Sequence, residues 1–235
     1  MRRALPHLAA TVAALALAAS PASAGEPRGP AGDAGGRAAV VFQDGLKLKA
    51  EGRLAESCDA VGRAAALTPD WGLARYEHAR CLRLLGDLDG HASAAIEAAE
   101  RVLQRAPIYV EKGRLAEDRG DAAAAAAAYE MALQVAPAEV RALFGLARVA
   151  REAAPKEALE RAEQLVQRYP GLIAAWRELA LAAEAKKKLP RAEEALRKVV
   201  ELSPNKRAAW AALGTFAQRT RQKKLQDEVA RALRR

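Results

Sequence analysis

Residues 109–137 read YVEKGRLAEDRGDAAAAAAAYEMALQVAP. Tyr109, Gly113 and Ala116 recur at steps of three and four, which places them on one stripe of a helix. Gly120-Asp121 then breaks the pattern. Glycine can adopt the left-handed backbone that ends a helix, and an aspartate behind it can cap the next one. Ala125, Tyr129 and Ala132 form the stripe of a second helix, which closes at Pro137. The stretch is a helical hairpin, and alanine at its facing positions lets the two backbones approach closely.

The hairpin recurs with a period of 34 residues. Gly52, Gly86 and Gly120 are spaced by 34, and the count continues onto Ala154 and Lys188, both in short breaks between helical segments. Trp176 and Trp210 are also 34 apart. Prolines close helical segments at Pro69, Pro137, Pro170 and Pro204. In the fifth unit Ile173, Trp176, Leu179, Ala180 and Ala183 form the first stripe, and Lys186-Lys187-Lys188 interrupt it. Ala192, Leu196, Val199 and Val200 then form the second stripe, which ends at Ser203-Pro204.

Composition agrees with a helical solenoid. The chain is 51% hydrophobic but only 4% aromatic, and 61 of its 235 residues are alanine. The core is therefore thin and built from close helix contacts. Ala, Leu, Glu, Arg and Lys are strong helix formers, while the scarcity of β-branched residues argues against a β-sandwich or barrel. A charged fraction of 29% argues against a multispanning membrane protein.

These residues resemble the tetratricopeptide repeat (TPR) family, whose 34-residue unit places Leu-Gly and an aromatic in the first helix, then Ala, an aromatic and Ala in the second, and a closing proline. Gly45, Gly52, Ala64 and Pro69 match in the first unit, and Ala79, Leu82 and Gly86 in the second. Tyr109, Gly113, Gly120, Ala125, Tyr129, Ala132 and Pro137 match in the third. Trp176, Leu179, Ala192 and Pro204 match in the fifth, and Trp210, Leu213 and Gly214 open a sixth. The resemblance implies an all-α, right-handed α-solenoid of five to six units over residues 37–235, with Leu225, Val229 and Leu233 on a C-terminal capping helix. Two departures stand out. Pro107 comes 38 residues after Pro69, four more than the period, which predicts a second helix in unit two that is longer than usual by about one turn. The fourth unit has Ala153-Ala154-Pro155 in place of Gly-Asp and is one residue short.

Residues 1–24 read as a secretory signal: Arg2 and Arg3, an apolar run from Leu8 to Ala19, and small residues up to Ala24 at the expected cut. Residues 25–36, with five glycines and two prolines, read as a flexible linker. No later segment is apolar enough to remain in a membrane. Alanine- and arginine-rich usage suits a bacterium with a GC-rich genome, so the expected location is periplasmic or secreted. The formal charge of +9 falls to +7 once Arg2 and Arg3 leave. Export also discounts nucleic acid, the usual partner of so basic a chain.

No catalytic, cofactor-binding or metal-ligating pattern emerges. His78 and His91 lie 13 residues apart without ligand spacing and read as exposed helix residues. No nucleophile motif or phosphate loop is present. The expectation is a scaffold, not an enzyme.

The resemblance implies that the first helices line a concave face where protein or peptide segments bind. Matching the units places Phe42, Leu46 and Lys49 there, then Tyr76, Arg80 and Arg83, then Val110, Arg114 and Glu117. Phe144, Arg148, Arg151, Arg177 and Glu184 follow. Arginine recurs in four adjacent units, and guanidinium forks suit carboxylates. The partner expected is a protein or peptide segment, acidic in character; the alternative is an anionic cell-envelope polymer. A solvated arginine face without partner preference is the plain structural alternative. The asparagine-and-lysine carboxylate clamp of chaperone-binding relatives is not matched, because Asn205 is the sole asparagine.

Cys58 and Cys81 fall on sequence-adjacent helices, in the second helix of unit one and the first of unit two. Either they bridge in an oxidising compartment or they are two small buried thiols. Thiol titration of denatured, unreduced protein separates the two readings. A bridge returns no free thiol and closes a loop worth about 3 kcal/mol of stability.

Overall fold

The computed structural model describes residues 31–86 and 90–234. The signal reading of residues 1–24 lies outside them, as does most of the expected linker. Among the described residues, twelve helices run antiparallel to their chain neighbours as six hairpins. They are α1 (Gly32–Ala50) with α2 (Leu54–Leu67), α3 (Gly72–Leu84) with α4 (His91–Val102), and α5 (Ala106–Asp118) with α6 (Ala122–Val135). Then come α7 (Val140–Ala153) with α8 (Pro155–Arg168), α9 (Ile173–Ala185) with α10 (Leu189–Leu202), and α11 (Lys206–Arg219) with α12 (Lys223–Leu233). Each helix packs on the next in sequence, and α3, α5, α7 and α9 also touch one another in turn. That is the stacking of an α-solenoid, in which each unit contacts only its neighbours.

The core is made by closeness. Twenty-four of the 46 buried apolar residues described are alanine, so hairpin helices meet nearly backbone to backbone. Where a large ring intrudes, glycine makes room. Tyr129 of α6 is wholly buried, and its ring lies between Gly113 of α5 and Gly145 of α7. A Cβ at Gly113 would stand 2.6 Å from that ring, and one at Gly145 closer still. The apolar clusters tile the length of the stack instead of forming one central core.

Local chemistry sets the hairpin turns. Asp121 caps α6 as expected, its side chain accepting the Ala124 N–H at 2.9 Å. Asn205 does the same for α11, accepting from Ala208 at 3.0 Å. The turn position held by Gly52, Gly86 and Gly120 has φ of 80°, 82° and 76°. In the fifth and sixth units it passes to Lys187 (φ 61°) and Arg221 (φ 58°). The fourth hairpin avoids the problem: a single residue, Ala154, separates α7 from Pro155, the first residue of α8. Proline is suited to that place, where an N–H would go unbonded anyway.

Three expectations are corrected. The first helix begins at Gly32, inside the stretch read as linker, because burial of Gly35 and Ala38 outweighs the poor helix propensity of its glycines. The second helix of unit two, α4, is 12 residues long against 14 for α2 and α6, so it is short, not extended. Pro107 misled the count: it starts α5 instead of closing α4. His78 is half-buried, and a Cβ at Gly62 would stand 2.9 Å from its Nε2; burial pushes the imidazole pKa below its ordinary value.

Lys187 and Arg221 pay a steric cost that glycine does not. Lys187→Gly and Arg221→Gly should each raise stability by about 1 kcal/mol, while Gly120→Ala should lower it by about the same amount. Shifts in the urea midpoint measure all three, and a loss of stability in the glycine variants would contradict the reading.

Candidate partner groove

Each first helix is tied to the next by an ion pair across the concave side. Lys49 of α1 donates to Glu77 of α3 at 2.7 Å. Arg83 of α3 reaches Glu111 of α5 at 2.5 Å and Asp118 at 2.7 Å. Arg148 of α7 embraces Glu117 of α5, with Nε 2.7 Å from Oε1. Arg151 of α7 donates to Glu178 of α9 at 3.0 Å. Arg219 of α11 grips Glu184 of α9 with two bonds of 2.6 and 2.7 Å. All five junctions between consecutive first helices therefore carry at least one such link.

Burial is unequal across these pairs. Side chains of Glu111, Glu178 and Glu77 are only 1%, 11% and 13% exposed, whereas Arg80, Arg114 and Arg148 are 36%, 33% and 44% exposed. Carboxylates form the lower layer and guanidinium groups cover them. Arg80 lies 3.5 Å from Glu77, and Arg114 lies 3.6 Å from Glu111. Burial holds the Glu178 carboxyl above its usual range despite Arg151 and Arg148 nearby. Tyr129 donates its phenol to Glu117 at 2.6 Å, and burial together with that bond pushes its pKa up.

Among the predicted groove residues, Lys49, Tyr76, Arg80, Arg83, Arg114, Phe144, Arg148 and Arg151 are half-exposed or salt-bridged along this side. Arg177 is exposed, and no ion pair or hydrogen bond engages it among the described residues. Phe42 does not reach the groove. It is 2% exposed and packs at a tilt against Trp71, ring centroids 4.6 Å apart and planes at 52°, because the segment between α2 and α3 delivers an indole against α1. Val110 is likewise wholly buried. Cys58 of α2 and Cys81 of α3 stand with their sulfurs 2.11 Å apart, at bonding distance, where unit one meets unit two.

Reading arginines alone missed their partners. Glu77, Glu111 and Glu178 occupy one repeat position, with Gly145 the exception in unit four. Lys49, Arg83, Glu117, Arg151 and Glu184 occupy another. Aligning acids as well as bases would have exposed the ladder.

A stack of six helical hairpins, each packed on the next, defines the class of α-solenoids. Two tetratricopeptide repeat models match, over residues 106–139 and 141–171, which are the third and fourth hairpins. Repeat length, helix pairing and these matches make the chain a tetratricopeptide repeat protein. Its fold is similar to that of PilW, a type IV pilus biogenesis factor: TM-score 0.72, 15% identity, 84% of this chain and 92% of that one. PilF of Pseudomonas aeruginosa gives 0.68, 14%, 85% and 91%. YrrB, described as having an unusual peptide-binding site, gives 0.56, 17%, 73% and 89%. Comparison with curated protein sequences finds no match.

Removing one member of a buried pair strands the other's charge. Arg83→Met should cost about 3 kcal/mol, because Glu111 stays buried with only Arg114 near it. The double variant Arg83→Met with Glu111→Leu should recover most of that loss. Urea unfolding of the two variants tests this, and equal losses in both would show that the pair's charge is not what matters.

Proposed function

We propose that this chain is a non-enzymatic protein–protein interaction scaffold of the bacterial cell envelope, holding a protein or peptide segment in its concave groove. The observation that carries the reading is the row Arg80, Arg114 and Arg148, one guanidinium per unit at intervals of 34 residues. Each lies against a carboxylate and remains about one-third to nearly one-half exposed. A guanidinium has five donors, so one engaged in this way keeps others for a ligand. Being held, it also loses little freedom when it binds. A segment crossing the units meets carbonyl- and carboxylate-binding forks at regular spacing.

Location in the envelope rests on the secretory character of residues 1–24 and on the paired cysteines, which suit an oxidising compartment. PilW, a pilus biogenesis factor, is a fold neighbour consistent with it. A polyanionic envelope polymer is the weaker reading, because most of the groove's cations are already neutralised by its own carboxylates.

Charge reversal tests the groove. The triple variant Arg80→Glu, Arg114→Glu, Arg148→Glu should abolish capture of the partner that wild-type protein crosslinks in its host, with helical content retained. Capture that persists at wild-type level would retire the groove. Capture that falls steeply with salt in wild type would favour the polymer.

A further inference from the structure

Units two to four share a two-residue pattern on the first helix. An apolar side chain stands at one position and arginine one turn later: Tyr76/Arg80, Val110/Arg114 and Phe144/Arg148. In the fifth unit the same two positions, 33 residues on, hold Arg177 and Leu181. The order of charge and hydrocarbon is reversed. Two consequences are visible. Arg177 is the one predicted groove cation that no carboxylate engages among the described residues, whereas Arg80, Arg114 and Arg148 all have one. Leu181 is 45% exposed, a large apolar side chain left facing solvent.

Both residues line a groove of about 320 Å³ between α9 and α11. Leu196 and Val199 of α10 form its floor with Phe216 of α11. The Arg219–Glu184 pair stands on the same rim and is neutral as a unit. Arg177 therefore supplies an uncompensated positive charge beside a mostly hydrocarbon cleft. The repeat position that carries Tyr76, Val110 and Phe144 in the earlier units holds Arg177 here, so that position adds no hydrocarbon to the cleft.

We infer that the α9–α11 groove is a subsite for a peptide segment carrying a large apolar side chain next to a carboxylate, the hydrocarbon entering the cleft and the carboxylate pairing with Arg177. This rests on the scaffold reading above and names the chemistry of its partner. Burying one aliphatic or aromatic side chain against Leu196, Val199 and Phe216 supplies affinity. The ion pair sets direction, since only one side of the groove offers a free cation.

The probe is a random dodecapeptide library displayed on phage and panned against the intact chain. Enriched peptides should place Leu, Ile, Met or Phe within a few positions of Asp or Glu. A synthetic fluorescein-labelled peptide of that sequence should bind about tenfold more weakly to Arg177→Glu and to Leu181→Asp. Replacing the peptide's acid by lysine should restore binding to Arg177→Glu. Both substitutions are on exposed positions, and circular dichroism checks that the helices persist. Peptides lost on charge reversal at Arg80, Arg114 and Arg148 but indifferent to Arg177 and Leu181 would retire this subsite and leave the scaffold reading standing. No enrichment at all would retire both.

Discussion

Tyr129 lies between two helices that carry no side chain where they meet it. Gly113 and Gly145 leave the only space its ring can occupy. The rest of the stack follows the same rule on a smaller scale: alanine against alanine, with helices drawn close enough that first helices of adjacent units come within reach of each other's side chains. A core of larger residues would push these helices apart. The thin, alanine-rich interior is thus what brings the charged side chains of one unit onto the carboxylates of the next.

Packing and electrostatics are coupled at the third and fourth units. Gly145 falls at the repeat position where Glu77, Glu111 and Glu178 carry their carboxylates. With the Tyr129 ring in that space, unit four has no acid at that position. The polarity of the link reverses there: Glu117 of α5 becomes the acid and Arg148 of α7 the base, with the Tyr129 phenol as a second donor to the same carboxylate. A second reversal occurs at Glu184–Arg219. Every junction keeps at least one ion pair, yet which helix supplies the charge is dictated by what the core leaves free. Such pairs stabilise little where they are exposed. Their larger effect is to fix guanidinium groups in place over a buried acidic layer, which gives the concave face a surface that is patterned but close to neutral.

The period and the hairpin turns were legible because they depend on neighbours in sequence. The glycine, aspartate and proline positions act within a turn of where they stand, and so could be read one unit at a time. Pro107 shows where such reading slips: the same residue type closes one helix or opens another, and only the hydrogen-bond pattern around it tells which. Gly32–Gly36 shows the opposite slip, because helix formation there comes from burial of Gly35 and Ala38 and not from propensity. Phe42 was read from its repeat position as facing the groove, but repeat position does not reveal that Trp71 would be waiting for it.

From sequence alone came the class of fold, the length of the repeating unit, the face on which a partner is expected, and the row of arginines along it. Those follow from periodicity, which is a local property. What only the tertiary structure decided is which of those arginines are already spoken for. Ion pairs between residues 27 to 35 apart depend on how closely and at what angle two units stack, and that is set by the whole alanine-packed interface. The structure turns a uniformly basic row into mostly satisfied pairs and one exception, Arg177. It stands beside an open apolar groove because its unit places the charge one turn earlier than the others do.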